Sequence, residues 1–210
     1  MITDLTTIYN LAPDPIRLEL LGKLGNPWYL TARRNQLVPR HTGVHMIRHG
    51  RGWGKTRTGA EWIIDMAERN PGTYMAIVGS TEAQAYHIML DGESGIFSSS
   101  ARFGKDMPVY DAANGTLRWK NGSKAFVRGF DSQDSLAGYN HQFAWVDTGE
   151  VDSPSDERMN ECWTNVSSGN RLGVNPQILI TSGMRDSWLT GLATDKKSSG
   201  NPYWTFEDSP

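Results

Sequence analysis

With 210 residues, 38% of them hydrophobic and 21% charged, the chain is long enough to bury a substantial core and too apolar for a disordered segment. A formal net charge of −2 excludes a globally basic polyanion binder, and a single cysteine, Cys162, excludes an intramolecular disulfide or a multi-cysteine zinc site. No apolar run reaches membrane-spanning length, and the amino terminus, with Asp4 and no basic head, is unlike a secretory signal.

Taken in order, Asp14 to Leu24 carries Ile16, Leu18, Leu20, Leu21 and Leu24 and predicts an amphipathic helix after Pro13 and Pro15. Pro27 opens a second short helix through Trp28, Leu30 and the two arginines Arg33 and Arg34. Gln36 follows in a loop. Its amide has the donor and acceptor needed to read an adenine edge, although a loop glutamine is more often simply solvated.

Val44 to Ile47 is a short β-branched and apolar run, and Arg57 to Ala67 has Ala60, Ile63, Ile64 and Ala67 at helical spacing. Between them lies Arg48-His49-Gly50-Arg51-Gly52-Trp53-Gly54-Lys55-Thr56. A strand, a glycine-rich turn ending in Gly-Lys-Thr, and a helix form the context of a phosphate-binding loop. Gly50, Gly52 and Gly54 allow successive amides to curl round a phosphate, and the helix start adds unpaired N–H groups. Lys55 supplies a point charge for the outer phosphates, and the Thr56 hydroxyl can join a Mg²⁺ shell. The same chemistry also serves a plain strand-to-helix turn. From Thr31 to Ala60 there is no acidic residue but there are Arg33, Arg34, Arg40, Arg48, Arg51, Lys55 and Arg57. This local basicity suits a polyphosphate and equally describes a solvated basic face.

Tyr74 to Ser80 predicts a buried strand, and Thr81 caps a helix running to Leu90. Gly92 to Ser100 reads as a loop or broken helix. Leu117 to Lys120 and Lys124 to Val127, joined by Asn121-Gly122-Ser123, predict a β-hairpin, and Ser132 to Ala137 a short helical turn. Phe143 to Asp147 is an apolar strand ending in a carboxylate, which places Asp147 where α/β proteins bind ligands and where it can hold Mg²⁺. A loop acid after a buried strand is the plainer alternative. Glu150, displaced by Thr148 and Gly149, is the candidate base for an attacking water. Asp156 to Val166 predicts a helix, Gln177 to Gly183 a strand tipped by Thr181 and Ser182, Ser187 to Thr194 a helix, and Tyr203 to Phe206 a last strand. Strands alternating with helices predict a mainly parallel sheet with helices on both faces.

These stretches resemble, in order, the ATPase domain of the large terminase subunit of tailed bacteriophages. The resemblance is carried by Trp28-Tyr29-Leu30-Thr31-Ala32-Arg33 with Gln36-Leu37 and Pro39, by Gly50 to Trp62, by Ser135 to Gly138 with Ala144 to Asp147, and by Ile180 to Gly183 with Trp188-Leu189. It implies an α/β P-loop NTPase of the additional-strand type, with a helical segment over 1–43 and an ATPase core over 44–210. It implies ATP and Mg²⁺ as cofactors, Thr56 and Asp147 as metal residues, and a nucleotide contacted by Gln36, Gly50, Arg51, Gly52, Trp53, Gly54, Lys55, Thr56 and Arg57. Lys55, Arg51 and Glu150 become the catalytic set, Arg51 acting on the γ-phosphate from within its own subunit, and Thr181 and Ser182 the coupling residues. The implied function is a motor that drives double-stranded DNA into a procapsid in the host bacterial cytoplasm. Its partners would be the DNA backbone, a portal protein, a small terminase subunit and further copies in a ring, with no membrane. The family's carboxyl-terminal nuclease domain is expected to be absent.

The sequence also departs from the family pattern. His49 replaces a glycine, Thr148 stands where the family has its catalytic Glu, and Ala137 stands where many members have an arginine. Arg102 and Arg128 are further candidates for an arginine supplied to a neighbour, each also readable as a surface residue. Two other readings stay open: a nucleic-acid-stimulated, helicase-like ATPase, and a nucleotide-binding assembly scaffold with little hydrolysis.

Overall fold

The computed structural model describes residues 28–39, 42–102, 105–131, 137–149, 156–184 and 186–208. The helices expected over 14–24 and 132–137 lie outside these residues, apart from a turn at Ala137. The described residues fall into two compact units, one reaching to Leu37 and the other starting at Val38.

In the first unit the expected single helix is split. Helix α1 spans Trp28–Thr31, and a 3₁₀ turn follows at Arg34–Gln36. The Gln36 side chain is the reason for the second turn: its Oε1 accepts from the Arg33 amide at 3.0 Å, while the Gln36 amide donates to Arg33 O at 2.8 Å. Such reciprocal closure of a turn satisfies backbone groups that a short helix leaves open.

The second unit is built on an eight-stranded sheet in the order β3-β4-β5-β2-β6-β7-β1-β8. Its strands are β1 Val44–Arg48, β2 Tyr74–Gly79, β3 Val109–Asp111, β4 Thr116–Arg118, β5 Lys124–Gly129, β6 Phe143–Gly149, β7 Gln177–Ser182 and β8 Trp204–Asp208. All neighbours pair in parallel except β3 with β4 and β4 with β5. The expected hairpin is the β4–β5 pair, Leu117 opposite Ala125. Strand β7 lies between β1, which leads into the glycine loop, and β6, which carries Asp147. This inserted strand is the additional strand expected for the fold class.

Side-chain alternation along the strands divides the core in two. On one face Ile47, Met75, Ile77, Phe143, Trp145 and Leu179 pack with helix α2, Lys55–Arg69, through Ala60, Ile63, Ile64 and Ala67. On the other, Met46, Ala76, Val78, Ala144, Val146, Ile178 and Ile180 meet Met159, Cys162 and Val166, with Leu189 and Ala193. Met159, Cys162 and Val166 come from helix α5, Asp156–Gly169, and Leu189 and Ala193 from helix α6, Ser187–Ser198. Cys162 is buried, as expected for a packed helix residue, and burial pushes its thiol up to about 12.

The middle segment departs from the sequence pattern. Helix α3 is a single turn, Glu82–Gln84, capped by Thr81 Oγ1, which accepts from the Gln84 amide at 3.0 Å. A wider π turn then runs through Ala85–Leu90, closed by the Asp91 amide on Tyr86 O at 2.9 Å. The stretch expected as a loop or broken helix contains helix α4, Ile96–Arg102, where Ile96, Ser99 and Ser100 are buried in tertiary packing that outweighs weak serine propensity. No described helix is long and apolar enough to cross a membrane.

Candidate functional site

The loop between β1 and α2 is shaped by its glycines. Gly52 has φ 78° and Gly54 φ 95°, in the left-handed region that disfavours side chains, and Gly54 is the residue from which α2 starts. Lys55 Nζ reaches back across the loop, donating to His49 O at 2.6 Å and Gly50 O at 3.0 Å. The ammonium is therefore held against the same curl of backbone that would surround a phosphate.

His49 has a definite structural role in place of the usual glycine. Its ring stacks on Trp53 at 4.4 Å and 8°, its Nε2 lies 3.5 Å from Glu207 Oε1 of β8, and its amide donates to Ser182 O at 3.3 Å. The His49 side chain is 8% exposed, an internal prop that ties both ends of the loop together.

The acid arrives on β6. Asp147 lies opposite Thr181, but Gly149, not Thr148, lies opposite Ser182, so a bulge sits between them. The bulge is stabilised by the Gly149 amide on Asp147 Oδ1 at 2.9 Å and by Thr148 Oγ1, 3.0 Å from Ser182 Oγ; Gly149 takes φ 69°. Ser80 Oγ, from the end of β2, donates to Thr148 O at 2.8 Å and pins the tip of β2 to the tip of β6. The residues separating Asp147 from Glu150 thus continue the strand; Glu150 itself lies outside the described residues.

A cavity of about 370 Å³ joins these pieces. Arg51, Gly52, Gly54, Lys55, Thr56 and Arg57 line it from the loop and α2, and Asp147 with Gly149 lines it from β6. Its size is that of a site for a drug-sized ligand. Gly50 and Trp53 are not part of the lining, and Gln36 belongs to the other compact unit. Thr181 and Ser182 are fully buried at the end of β7, between the strand that leads into the loop and the strand that carries Asp147, and neither lines the cavity. Thr181 Oγ1 accepts from Trp145 Nε1 at 2.9 Å, and Ser182 Oγ lies 3.0 Å from Gly183 O, so in this structure both hydroxyls bond within the protein. Gly79, Ser80, Gln84, Ile88, Met89 and Ser94 complete the lining and were not singled out from the sequence. The only sequence signal for them is the strand-to-helix junction after β2, which becomes informative once β2 is known to neighbour β6.

Arg57 Nη2 donates to Glu61 Oε1 one turn along α2, both side chains nearly enclosed. Burial raises the Glu61 carboxyl above its ordinary range, and the Arg57 charge opposes that rise. Of the spare arginines, Arg128 donates to Gly115 O at 2.9 Å and Val127 O at 2.7 Å, a structural role, while Arg102 is exposed at the end of α4.

The donors present fit Mg²⁺. One carboxylate, Asp147, and one hydroxyl, Thr56, share the cavity, and among the described residues no group of three or more His, Cys, Asp or Glu could cage a metal by itself. Mg²⁺ takes one or two protein oxygens and completes its shell with phosphate and water.

Residues 46–185 match the family model described as terminase large subunit, T4likevirus-type, N-terminal. The fold is similar to the crystal structure of the HK97 bacteriophage large terminase, with TM-score 0.58 and 15% identity over 94% of this chain and 39% of that one. It is also similar to a variant of the Thermus phage P74-26 large terminase ATPase domain, with TM-score 0.57 and 18% identity over 95% of this chain and 86% of that one. A third match is the large terminase of a thermophilic bacteriophage in complex with ATP-gamma-S, with TM-score 0.58 and 12% identity over 90% of this chain and 43% of that one. The chain thus spans well under half the length of the HK97 protein. Among curated protein sequences none matches.

Proposed function

The chain belongs to the terminase large-subunit family, and on that premise we propose that it is an ATP-hydrolysing motor domain that drives double-stranded DNA into a procapsid. The observation that carries this reading is the shared cavity: Lys55 and Thr56, from the loop after β1, and Asp147, from β6, line one space although β7 separates their strands.

In this reading the loop amides and Lys55 hold the β- and γ-phosphates. Thr56 and Asp147 hold Mg²⁺, which when bound neutralises charge on the phosphate oxygens. Arg51 stabilises the transferring phosphoryl group with its planar fork, and Glu150 takes the proton of the attacking water. Thr181 and Ser182, on the strand between the phosphate loop and the acid, pass the loss of the γ-phosphate to the sheet. The Ser182 carbonyl already accepts from the His49 amide, which supports such a path. The DNA contact is to backbone phosphate and insensitive to sequence. The portal, a small terminase subunit and further copies in a ring are the partners this reading requires, in the cytoplasm of a bacterial host.

The test is phosphate release with and without double-stranded DNA, for the wild type, Lys55→Ala and Asp147→Asn. Loss of a charged group aimed at the reacting phosphate predicts a fall in turnover of roughly 100-fold or more. Unchanged turnover in Lys55→Ala would overturn the assignment. ATP binding by the wild type without phosphate release would favour an assembly scaffold, and directional unwinding of a forked duplex a helicase-like ATPase.

A further inference from the structure

The cavity has a second group of lining residues, from the end of β2 and the turns after it, that the reading above does not use. It starts where β2 ends. Ser80 Oγ is held by Thr148 O at 2.8 Å, and Thr81 Oγ1 caps the turn by accepting from the Gln84 amide at 3.0 Å. These two bonds tie the turn carrying Gln84 to the tip of the strand that carries Asp147. Gln84 is half-buried and lines the cavity together with Asp147 and Gly149.

Most polar groups of the lining already have work within the protein. Lys55 bonds His49 O and Gly50 O, Arg57 bonds Glu61, Asp147 accepts from the Gly149 amide, and Ser80 bonds Thr148 O. Among the described residues, the carboxamide of Gln84 makes no side-chain hydrogen bond, a condition it shares in this lining with the Thr56 and Ser94 hydroxyls; of the three only the carboxamide offers two donors beside an acceptor. A carboxamide at the wall of a polar cavity without a protein partner leaves its donor and acceptor open to a ligand atom. The chain just after Gln84 is the π turn Ala85–Leu90, a widened turn of the kind that re-aims side chains at functional sites.

We propose that Gln84 is a catalytic residue of the ATPase reaction, contacting the attacking water and the γ-phosphoryl group; this rests on the function proposed above. Its carbonyl oxygen accepts a hydrogen bond from the water, and its NH₂ donates to a γ-phosphate oxygen, so the nucleophile is aligned without the amide itself titrating. The water oxygen bonds to the γ-phosphorus as the bond to the bridging oxygen breaks, ADP leaves with that electron pair, and the water's proton passes to the base. Gln84 gains and loses no proton in the step. A glutamine is suited to this because it offers a donor and an acceptor on one rigid plane.

The experiment compares steady-state turnover, KM and binding of a fluorescent ATP analogue for the wild type, Lys55→Ala, Gln84→Ala and Gln84→Glu. Gln84→Ala should lower kcat by about 100-fold while KM, analogue affinity and the urea midpoint stay within about 3-fold or unchanged, since alignment acts in the transition state. Gln84→Glu keeps the acceptor, loses the donor and brings a negative charge to the phosphate, so it should fall at least as far and should also weaken analogue binding. If Lys55→Ala is inactive while both Gln84 variants turn over at the wild-type rate, the role of Gln84 is refuted and the ATPase reading stands. If Gln84→Ala raises KM with kcat intact, the residue binds substrate without aligning the water, and the proposal is again refuted. If Lys55→Ala turns over like the wild type, the ATPase reading itself falls and takes Gln84 with it.

Discussion

Gly59 sits in the middle of α2, where helix propensity alone favours alanine by about 1 kcal/mol. The packing says the opposite. A Cβ on Gly59 would lie 2.0 Å from Trp145 Cε2, 2.3 Å from Cζ2 and 2.4 Å from Nε1. Trp145 is fully buried in β6, and its Nε1 donates to Thr181 Oγ1 at 2.9 Å. The indole has no open side to move into without releasing that bond. Overpacking costs about 1–3 kcal/mol, and stranding a buried donor and acceptor about 1–3 more. Set against the propensity gain, Gly59→Ala should destabilise the protein by roughly 1–5 kcal/mol. Equilibrium urea unfolding would show this as a midpoint lowered by about 0.5–2.5 M at unchanged m-value. Trp145→Phe removes the Nε1–Cε2–Cζ2 edge that clashes, so the double variant should be more stable than the sum of the two single effects. A Gly59→Ala midpoint equal to or above that of the wild type would sink the packing claim. With it would go the contention that the phosphate-loop helix is set against the acid strand at this point.

His49→Gly restores the family's usual residue and should nonetheless cost about 1–2 kcal/mol in the same assay. It removes the stack on Trp53, and it frees the unfolded backbone; a variant as stable as the wild type would show the stack to be idle. Acid should weaken the fold through His45 and His141, whose burial lowers both from 6.5 to about 4. Between these values the unfolded chain binds protons that the folded one refuses, so stability is full above about 6.5 and falls as pH drops towards about 4. The loss is up to about 3 kcal/mol for each histidine at about 1.4 kcal/mol per pKa unit. Urea midpoints that stay flat from pH 7 to pH 5 would contradict this.

The strand, loop and helix from Val44 to Ala67 were legible from residue order because their determinants are local: apolar periodicity, glycines where the backbone turns left-handed, and a Gly-Lys-Thr run at a helix start. Asp147 at the end of an apolar strand was legible for the same reason. Helix α4 and strand β3 were not, because Ser99 and Ser100 become helical through burial and Val109–Asp111 pairs with a strand that only the folded sheet supplies. The split of the Thr81–Leu90 helix into a capped turn and a π turn was equally invisible, since both halves read as one periodic segment.

Residue order, then, determined which chemical groups the protein carries after β1 and at the end of β6 and on what kind of element each is mounted. Tertiary structure decided which of them meet. Pairing of β7 with both β1 and β6 brings Lys55, Thr56 and Asp147 to one cavity, and pairing of β2 with β6 adds Ser80 and Gln84. It also turned the His49 ring inward onto Trp53 and closed the Thr181 and Ser182 hydroxyls into the sheet. Adjacency of this kind is a property of long-range strand pairing, whose free energy comes from burying two faces of a sheet at once, and no local window of residues carries it.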